Sequence, residues 1–267
     1  MTAGDVRFVE LRWRGRPLAI EHQWVGDAAS PLPVAVFLHE GLGSLAMWKD
    51  FPARLCERHG LRGLVFSRYG YGRSTPKPPD ERWPVDFMHR QAYEVLPPLF
   101  EALGIARPWL FGHSDGGSIA LLHASRHPVA GLVVVAPHIH TEDFGIASIA
   151  AARDAYETTD LRRRLARYHA DVDSAFRGWN DVWLDPAFRA WNIEAALDGI
   201  HCPLLAVQGE GDEYGTLEQI RGIARRVPGA ELLVLADCGH SPHRDQPDKL
   251  IEAAGTFIRR RTTPRHP

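Results

Sequence analysis

The chain has 267 residues, is 45% hydrophobic and 24% charged, and carries a formal net charge of -2. That balance gives no broad electrostatic pull toward nucleic acid or an anionic membrane, and no run of about 18 apolar residues marks a membrane span. The opening residues lack a basic start followed by an apolar core, and the three cysteines (Cys56, Cys202, Cys238) fit neither a disulfide framework nor a zinc-site spacing. The expectation is a cytoplasmic protein with no metal, its cysteines serving as small buried hydrophobes.

In chain order, apolar runs at 6–11 and 18–25 flank Arg14-Gly15-Arg16-Pro17 and predict an antiparallel hairpin. Runs at 33–39, 63–69, 108–113, 131–137, 203–209 and 231–237 are continuously apolar, as strands of a parallel sheet buried on both faces are. Helical spacing falls between them. Trp48, Phe51 and Leu55 share a face, and so do Val85, Met88, Ala92, Val95, Leu99 and Leu103, with Pro97 and Pro98 expected to kink that helix. Thr216 and Gln219 predict a capping-box start. Leu250, Ala254, Phe257 and Ile258 predict a last helix, followed by a frayed tail at 259–267. Strand and helix in alternation predict an α/β fold: a mostly parallel eight-stranded sheet with helices on both faces.

Residues 138–200 break the alternation. They hold helical stretches and Trp179, Trp183 and Trp191, but no strand-like run. They predict a helical cap inserted after the sixth strand. The core is then 1–137 and 201–267, and the cap is 138–200.

The stretch Gly112-His113-Ser114-Asp115-Gly116 fits G-x-S-x-G between a predicted strand and a predicted helix. A serine hydroxyl is a weak nucleophile that needs a base held by a third group. Asp212 follows the strand at 203–209 and His240 the strand at 231–237, both at the strand ends where open α/β sheets build sites. Ser114, Asp212 and His240 are therefore the candidate catalytic residues.

With His39–Ser44 (HEGLGS), Ser67–Ser74 (SRYGYGRS), Gly112–Gly117 (GHSDGG), Gly209–Asp212 (GEGD) and Gly239–Pro247 (GHSPHRDQP), the chain resembles the α/β-hydrolase superfamily, in the branch with a helical cap. The resemblance implies an oxyanion hole of two backbone N–H groups: one from Asp115, the other from Gly41, or from Leu42 if Glu40 is an insertion. Glu40 stands where the family has glycine. Its carboxylate is expected either to turn outward into a structural hydrogen bond, pairing with an arginine such as Arg68 or Arg73, or to face the pocket. Asp115 is expected to anchor the helix.

His138 and His140, after the sixth strand, are candidate pocket residues, as are Glu40, Trp179 and Trp183. The two histidines lack the partners of a metal site. Leu161–Arg167 reads as a solvated helix face, with an arginine reaching the pocket as the alternative. No phosphate loop or dinucleotide fingerprint is present. The leading expectation is a cofactor-free serine hydrolase, carboxylesterase-like, acting on a small, partly apolar or aromatic substrate as a monomer or homodimer. The alternatives are a carbon–carbon hydrolase of a ring-fission dienone acid and a ligand-binding receptor of the same fold.

Overall fold

The structure is a computed structural model that describes residues 4–262. β1 (Arg7–Trp13) and β2 (Arg16–Gly26) form the expected hairpin. Arg14 and Gly15 both take positive φ, 50° and 79°, in a two-residue turn whose twist suits right-handed strands. β3 (Ala35–Leu38) leads to a 3₁₀ turn at Leu45–Trp48 and to helix α1 (Phe51–His59). Lys49, with φ 55°, separates the turn from the helix, so Trp48 is not on the face of α1, although Trp48, Phe51 and Leu55 are all buried.

After β4 (Arg62–Phe66), the helix predicted over 85–103 is interrupted by more than a proline kink. α2 (Phe87–Arg90) and α3 (Leu96–Ala102) are joined by a π-helical turn at Gln91–Val95. The Leu96 N–H bonds Gln91 O, and Pro97 has no N–H to offer, so Ala92 O loses its helical donors. His123 replaces them, its Nδ1–H donating to Ala92 O at 2.8 Å from α4 (Asp115–Ala124).

β5 (Trp109–His113) precedes α4, and β6 (Gly131–Val135) follows it. Four helices then run before the next strand: α5 (Asp143–Thr158), α6 (Leu161–Leu165), α7 (Val172–Trp183) and α8 (Glu194–Leu197). β7 (Leu204–Gly209), α9 (Glu218–Arg226), β8 (Glu231–Leu235), α10 (Pro242–Asp245) and α11 (Pro247–Thr262) follow to the end of the described residues.

The eight strands among the described residues lie in the order β1-β2-β4-β3-β5-β6-β7-β8. β2 is antiparallel to both neighbours, and every pair from β4 to β8 is parallel. Alternate residues of a strand enter opposite cores. Val36, Leu38, Leu132 and Val134 pack on the side of α2, α3 and α4, whereas Phe37, Phe111, Val133 and Val135 pack on the side of α1 and α11.

Three expectations need correction. β8 is an edge strand, and Leu232 and Val234 on one of its faces are each 40% exposed, so its continuous apolar run does not mean burial on both faces. Gln219 does not complete a capping box: its side chain is drawn into the core, where Oε1 accepts from Ile139 N (2.7 Å) and Nε2 donates to Glu142 (2.8 Å). The tail is helical to Thr262, with Arg260 and Arg261 bonded to Glu231; positions 263–267 lie outside the described residues.

Burial pushes the His123 pKa down to about 4, its bond to Ala92 O offsetting this only in part. An unfolded histidine titrates near 6.5. As pH falls below that, the unfolded chain gains the proton first, so this group removes stability progressively from pH 6.5 down to about 4. The expected result for His123→Leu is a loss of about 1–3 kcal/mol at pH 7.5, from the unpaired Ala92 carbonyl. The gap from the parent should narrow between pH 6.5 and 4. Urea denaturation across that range measures it, and a constant or widening gap contradicts the assignment.

Candidate active site

Ser114 is the residue between β5 and α4, and its backbone is strained. Its φ of 53° and ψ of -121° lie where L side chains rarely go, at a cost of about 1–3 kcal/mol. Both ends of the residue are held. Its N–H donates to Val135 O of β6 (2.9 Å), and its carbonyl accepts from Gly117 N (2.8 Å) and Ser118 N (3.1 Å). The flanking glycines are required by close approach. A Cβ on Gly112 would sit 2.3 Å from Gly116 O, and one on Gly116 would sit 2.2 Å from Leu38 O.

His240 enters from the loop after β8. Its Nδ1 lies 2.8 Å from Asp212 Oδ1, so Nδ1 carries the proton and Nε2 is left as the basic nitrogen. Asp212, in the loop after β7, is held by four donors: His240, the Tyr214 and Gly215 N–H groups on Oδ1 (2.9 and 3.2 Å), and Gln208 Nε2 on Oδ2 (3.0 Å). Burial pushes the Asp212 pKa up, but the His240 bond and the backbone donors outweigh it and leave the carboxyl below its ordinary value. The main-chain N–H of His240 is fixed separately by Glu213 Oε2 (3.0 Å), and the Tyr214 ring packs 4.7 Å from the imidazole.

Ser114, His240, Gly41, Leu42, Asp115, Glu40 and His138 line one cavity of about 260 Å³, together with Trp179, Trp183, Ile149 and Leu165 from the helices between β6 and β7. Trp179 and Trp183 are four residues apart on α7, so they share a face. The Trp179 indole lies directly on Gly41, where an added Cβ would meet its ring nitrogen at 2.1 Å. Ser114 Oγ has no hydrogen-bond partner among the described residues, so Ser114 and His240 share the cavity without a bond between them.

The remaining expectations divide. His140 does not line this cavity; its backbone is tied to Gln219 and its ring lies 3.9 Å from Glu194. His138 does line it, and burial pushes its pKa down to about 3, so it is neutral at ordinary pH. Arg162 bonds Asp173, and Arg163 and Arg164 pair with Asp160, all exposed; only Leu165 of that run reaches the cavity.

The Glu40 carboxylate pairs with neither Arg68 nor Arg73. Arg73 belongs to Glu21 (2.7 Å), whereas Glu40 reaches Arg244 Nη2 (3.2 Å) and His113 Nδ1 (3.4 Å). Burial pushes the Glu40 pKa up, and the His113 bond with nearby Arg244 holds it well below the ordinary value all the same. Asp115 accepts from Trp183 Nε1 (3.2 Å) and lies 3.8 Å from Arg68 Nη2. Its burial is complete, and that pushes its pKa up to about 6 despite Arg68 and the indole bond.

Gln208, Glu213, Tyr214, His113 and Arg244 escaped the sequence reading. Glu213 and Tyr214 directly follow Asp212, and Arg244 is four residues beyond His240, so adjacency to the candidates was the available signal.

Among the described residues no group of three or more His, Cys, Asp and Glu side chains could hold a metal ion, and no helix is long and apolar enough to cross a membrane. The three cysteines are free, Cys56 and Cys238 buried and Cys202 half-buried.

Comparison with known proteins places the chain in a family. A sequence model of the alpha/beta hydrolase family matches residues 35–253. The chain is 27% identical to the human (Homo sapiens) serine hydrolase BPHL over 199 positions, covering 71% of this chain and 66% of that protein. It is 27% identical to the mouse (Mus musculus) sn-1-specific diacylglycerol lipase ABHD11 over 273 positions, 91% of this chain and 86% of that protein. In fold it is similar to a thermophilic esterase from Thermogutta terrifontis, with a TM-score of 0.75 at 19% identity, over 96% of this chain and all of the other. With the family match running from the third strand into the last helix, the chain belongs to the alpha/beta hydrolase family.

Proposed function

We propose that this alpha/beta hydrolase is a cofactor-free serine hydrolase that cleaves a carboxylic ester or related acyl bond of a small substrate. The observation that carries this reading is the His240–Asp212 pair at 2.8 Å, facing a cavity shared with a serine held in a strained strand-to-helix turn. The family relationship to a serine hydrolase and to a lipase agrees with it.

On this reading the reaction runs as an acyl transfer through Ser114. The substrate carbonyl enters beside Ser114. His240 Nε2 takes the Ser114 proton as Oγ attacks, and Asp212 stabilises the imidazolium and keeps Nδ1–H toward itself. His240 then passes the proton to the leaving oxygen. Water, deprotonated by the same nitrogen, attacks the acyl carbon; the bond to Ser114 Oγ breaks, and His240 returns the proton to Oγ as the acid leaves. The oxyanion is received by the N–H groups of Gly41 and Asp115, neither of which has a partner among the described residues. Gly41 is preferred to Leu42 because its peptide partner, Glu40 O, is fixed by three donors: His39 Nδ1 (2.7 Å), Arg68 Nη2 (2.9 Å) and Gly43 N (3.1 Å).

Residues 138–200 act as a cap on a core of 1–137 and 201–267. The cap supplies Ile149, Leu165, Trp179 and Trp183, which give the cavity an apolar wall suited to an alkyl or aryl acyl group. The cavity disfavours a dienone acid. Among the described residues its one arginine or lysine is Arg244, already paired with Glu40, and Glu40, Glu213 and Asp115 would repel a substrate carboxylate.

Three outcomes are expected. Ser114→Ala should keep its melting temperature within a few degrees yet lose about 10⁴-fold or more in kcat, with loss of fluorophosphonate labelling; undiminished turnover overturns the serine assignment. Short p-nitrophenyl esters should be turned over rapidly and a vinylogous 1,5-diketo acid should not; the reverse selects the carbon–carbon reading, and labelling without turnover of either selects a receptor. Gly41→Ala should displace Trp179 and cost about 10²–10³-fold in kcat by disturbing one oxyanion donor. Unchanged kcat in that variant removes Gly41 from the role.

A further inference from the structure

Arg68 is a buried charged residue that touches no reacting atom in the mechanism above and does not line the cavity, yet it contacts two residues that do. It follows β4, is 1% exposed, and its guanidinium stacks over the Tyr71 ring at 4.5 Å. Two contacts of its Nη2 matter. One is the hydrogen bond to Glu40 O at 2.9 Å; the other is the 3.8 Å approach to Asp115 Oδ2. Glu40 O and the Gly41 N–H belong to the same peptide plane and point in opposite directions. Holding that oxygen toward Arg68 therefore turns the Gly41 N–H away from it, toward the cavity that Gly41 shares with Ser114.

His39 completes the clamp. The Arg68 main-chain N–H donates to His39 Nε2 (2.9 Å), which fixes the tautomer with the proton on Nδ1, and that proton goes to the same Glu40 oxygen (2.7 Å). Arg68 thus grips Glu40 O twice, directly through its guanidinium and indirectly through its backbone and His39. On the other side, Asp115 is buried at the first position of α4, with one carboxylate oxygen on Trp183 and the other toward Arg68.

The contacts are poor as stabilising devices. Nε and Nη1 of Arg68, Oδ2 of Asp115 and the Tyr71 hydroxyl are all buried without a hydrogen-bond partner. A buried, incompletely bonded ion pair returns little of its desolvation cost. Arg68 thus touches the peptide that presents the Gly41 N–H and the side chain of the residue that presents the other N–H, Asp115.

We propose that Arg68 is a positioning residue of the oxyanion hole, aligning the Gly41 N–H through Glu40 O and anchoring Asp115 on the opposite side. This rests on the serine-hydrolase reading, and it assigns Arg68 an effect on the tetrahedral state without contact with substrate.

The test uses the full chain, Arg68→Met and Arg68→Lys, with active sites counted by fluorophosphonate. Phenylboronic acid, which forms a tetrahedral adduct on a serine and places an oxygen in the oxyanion hole, is the probe. Expected for Arg68→Met is a kcat per labelled site lowered about 10-fold to 100-fold, KM within about 3-fold, and boronate affinity weakened in step with kcat/KM. Arg68→Lys keeps the charge but not the reach of the guanidinium, and should show a smaller loss of the same kind; it decides the matter if the methionine variant does not fold. Unchanged kcat per labelled site and unchanged boronate affinity overturn the proposal, even where the melting temperature falls, because a structural role alone lowers only the count of active sites. Failure of the underlying reading looks different: the parent enzyme itself would take no label and no boronate.

Discussion

The site hangs on the backbone of Ser114. A non-glycine residue at φ 53° persists only where its surroundings over-determine it, and here they do so from both the sheet and the helix that follows it. β6 takes its N–H, α4 takes its carbonyl, and the missing side chain at Gly116 lets α4 lie against the Leu38 carbonyl of β3. That last contact has a functional side. The loop that leaves β3 carries His39, Glu40 and Gly41, so the same close approach that seats the serine also sets the distance to the peptide that faces it.

The surroundings of the site are acidic, and each carboxylate is handled differently. Asp212 is ionised and saturated with donors. Glu213 is used for its oxygen on the His240 N–H, and Glu40 bridges His113 and Arg244 at the rim. Asp115 is the weakly satisfied one, with its pKa raised to about 6 by burial. Histidines pack around them. His113, His138 and His243 crowd the imidazole of His240 or one another, and burial drives the pKa of both His138 and His243 to about 3, which spares His240 two neighbouring positive charges at neutral pH. Among residues this close, neutrality matters as much as charge.

Much of this was legible in the sequence because it is local. The strands are apolar runs, the hairpin has its turn residues, and the candidate residues follow strands at the carboxyl edge of the sheet. What escaped depends on contacts distant in sequence. The π-turn at 91–95 needs His123 from another helix to satisfy Ala92 O. Glu40 finds Arg244, 204 residues away, instead of the nearer Arg68 or Arg73. Gln219 looked like a local cap and is instead a core ligand for the backbone after β6, eighty positions upstream. β8 read as buried on both faces, because an apolar run does not say which strand will be the edge. His138 and His140 looked equivalent, yet only the first faces the cavity.

The most direct measurement of the central claim is rapid-quench mass spectrometry of the enzyme during turnover of p-nitrophenyl acetate, with the modified peptide sequenced. A single acetyl adduct on Ser114, formed and lost at rates that account for kcat, is the predicted result. Turnover with no adduct, or with an adduct confined to another residue, would contradict it.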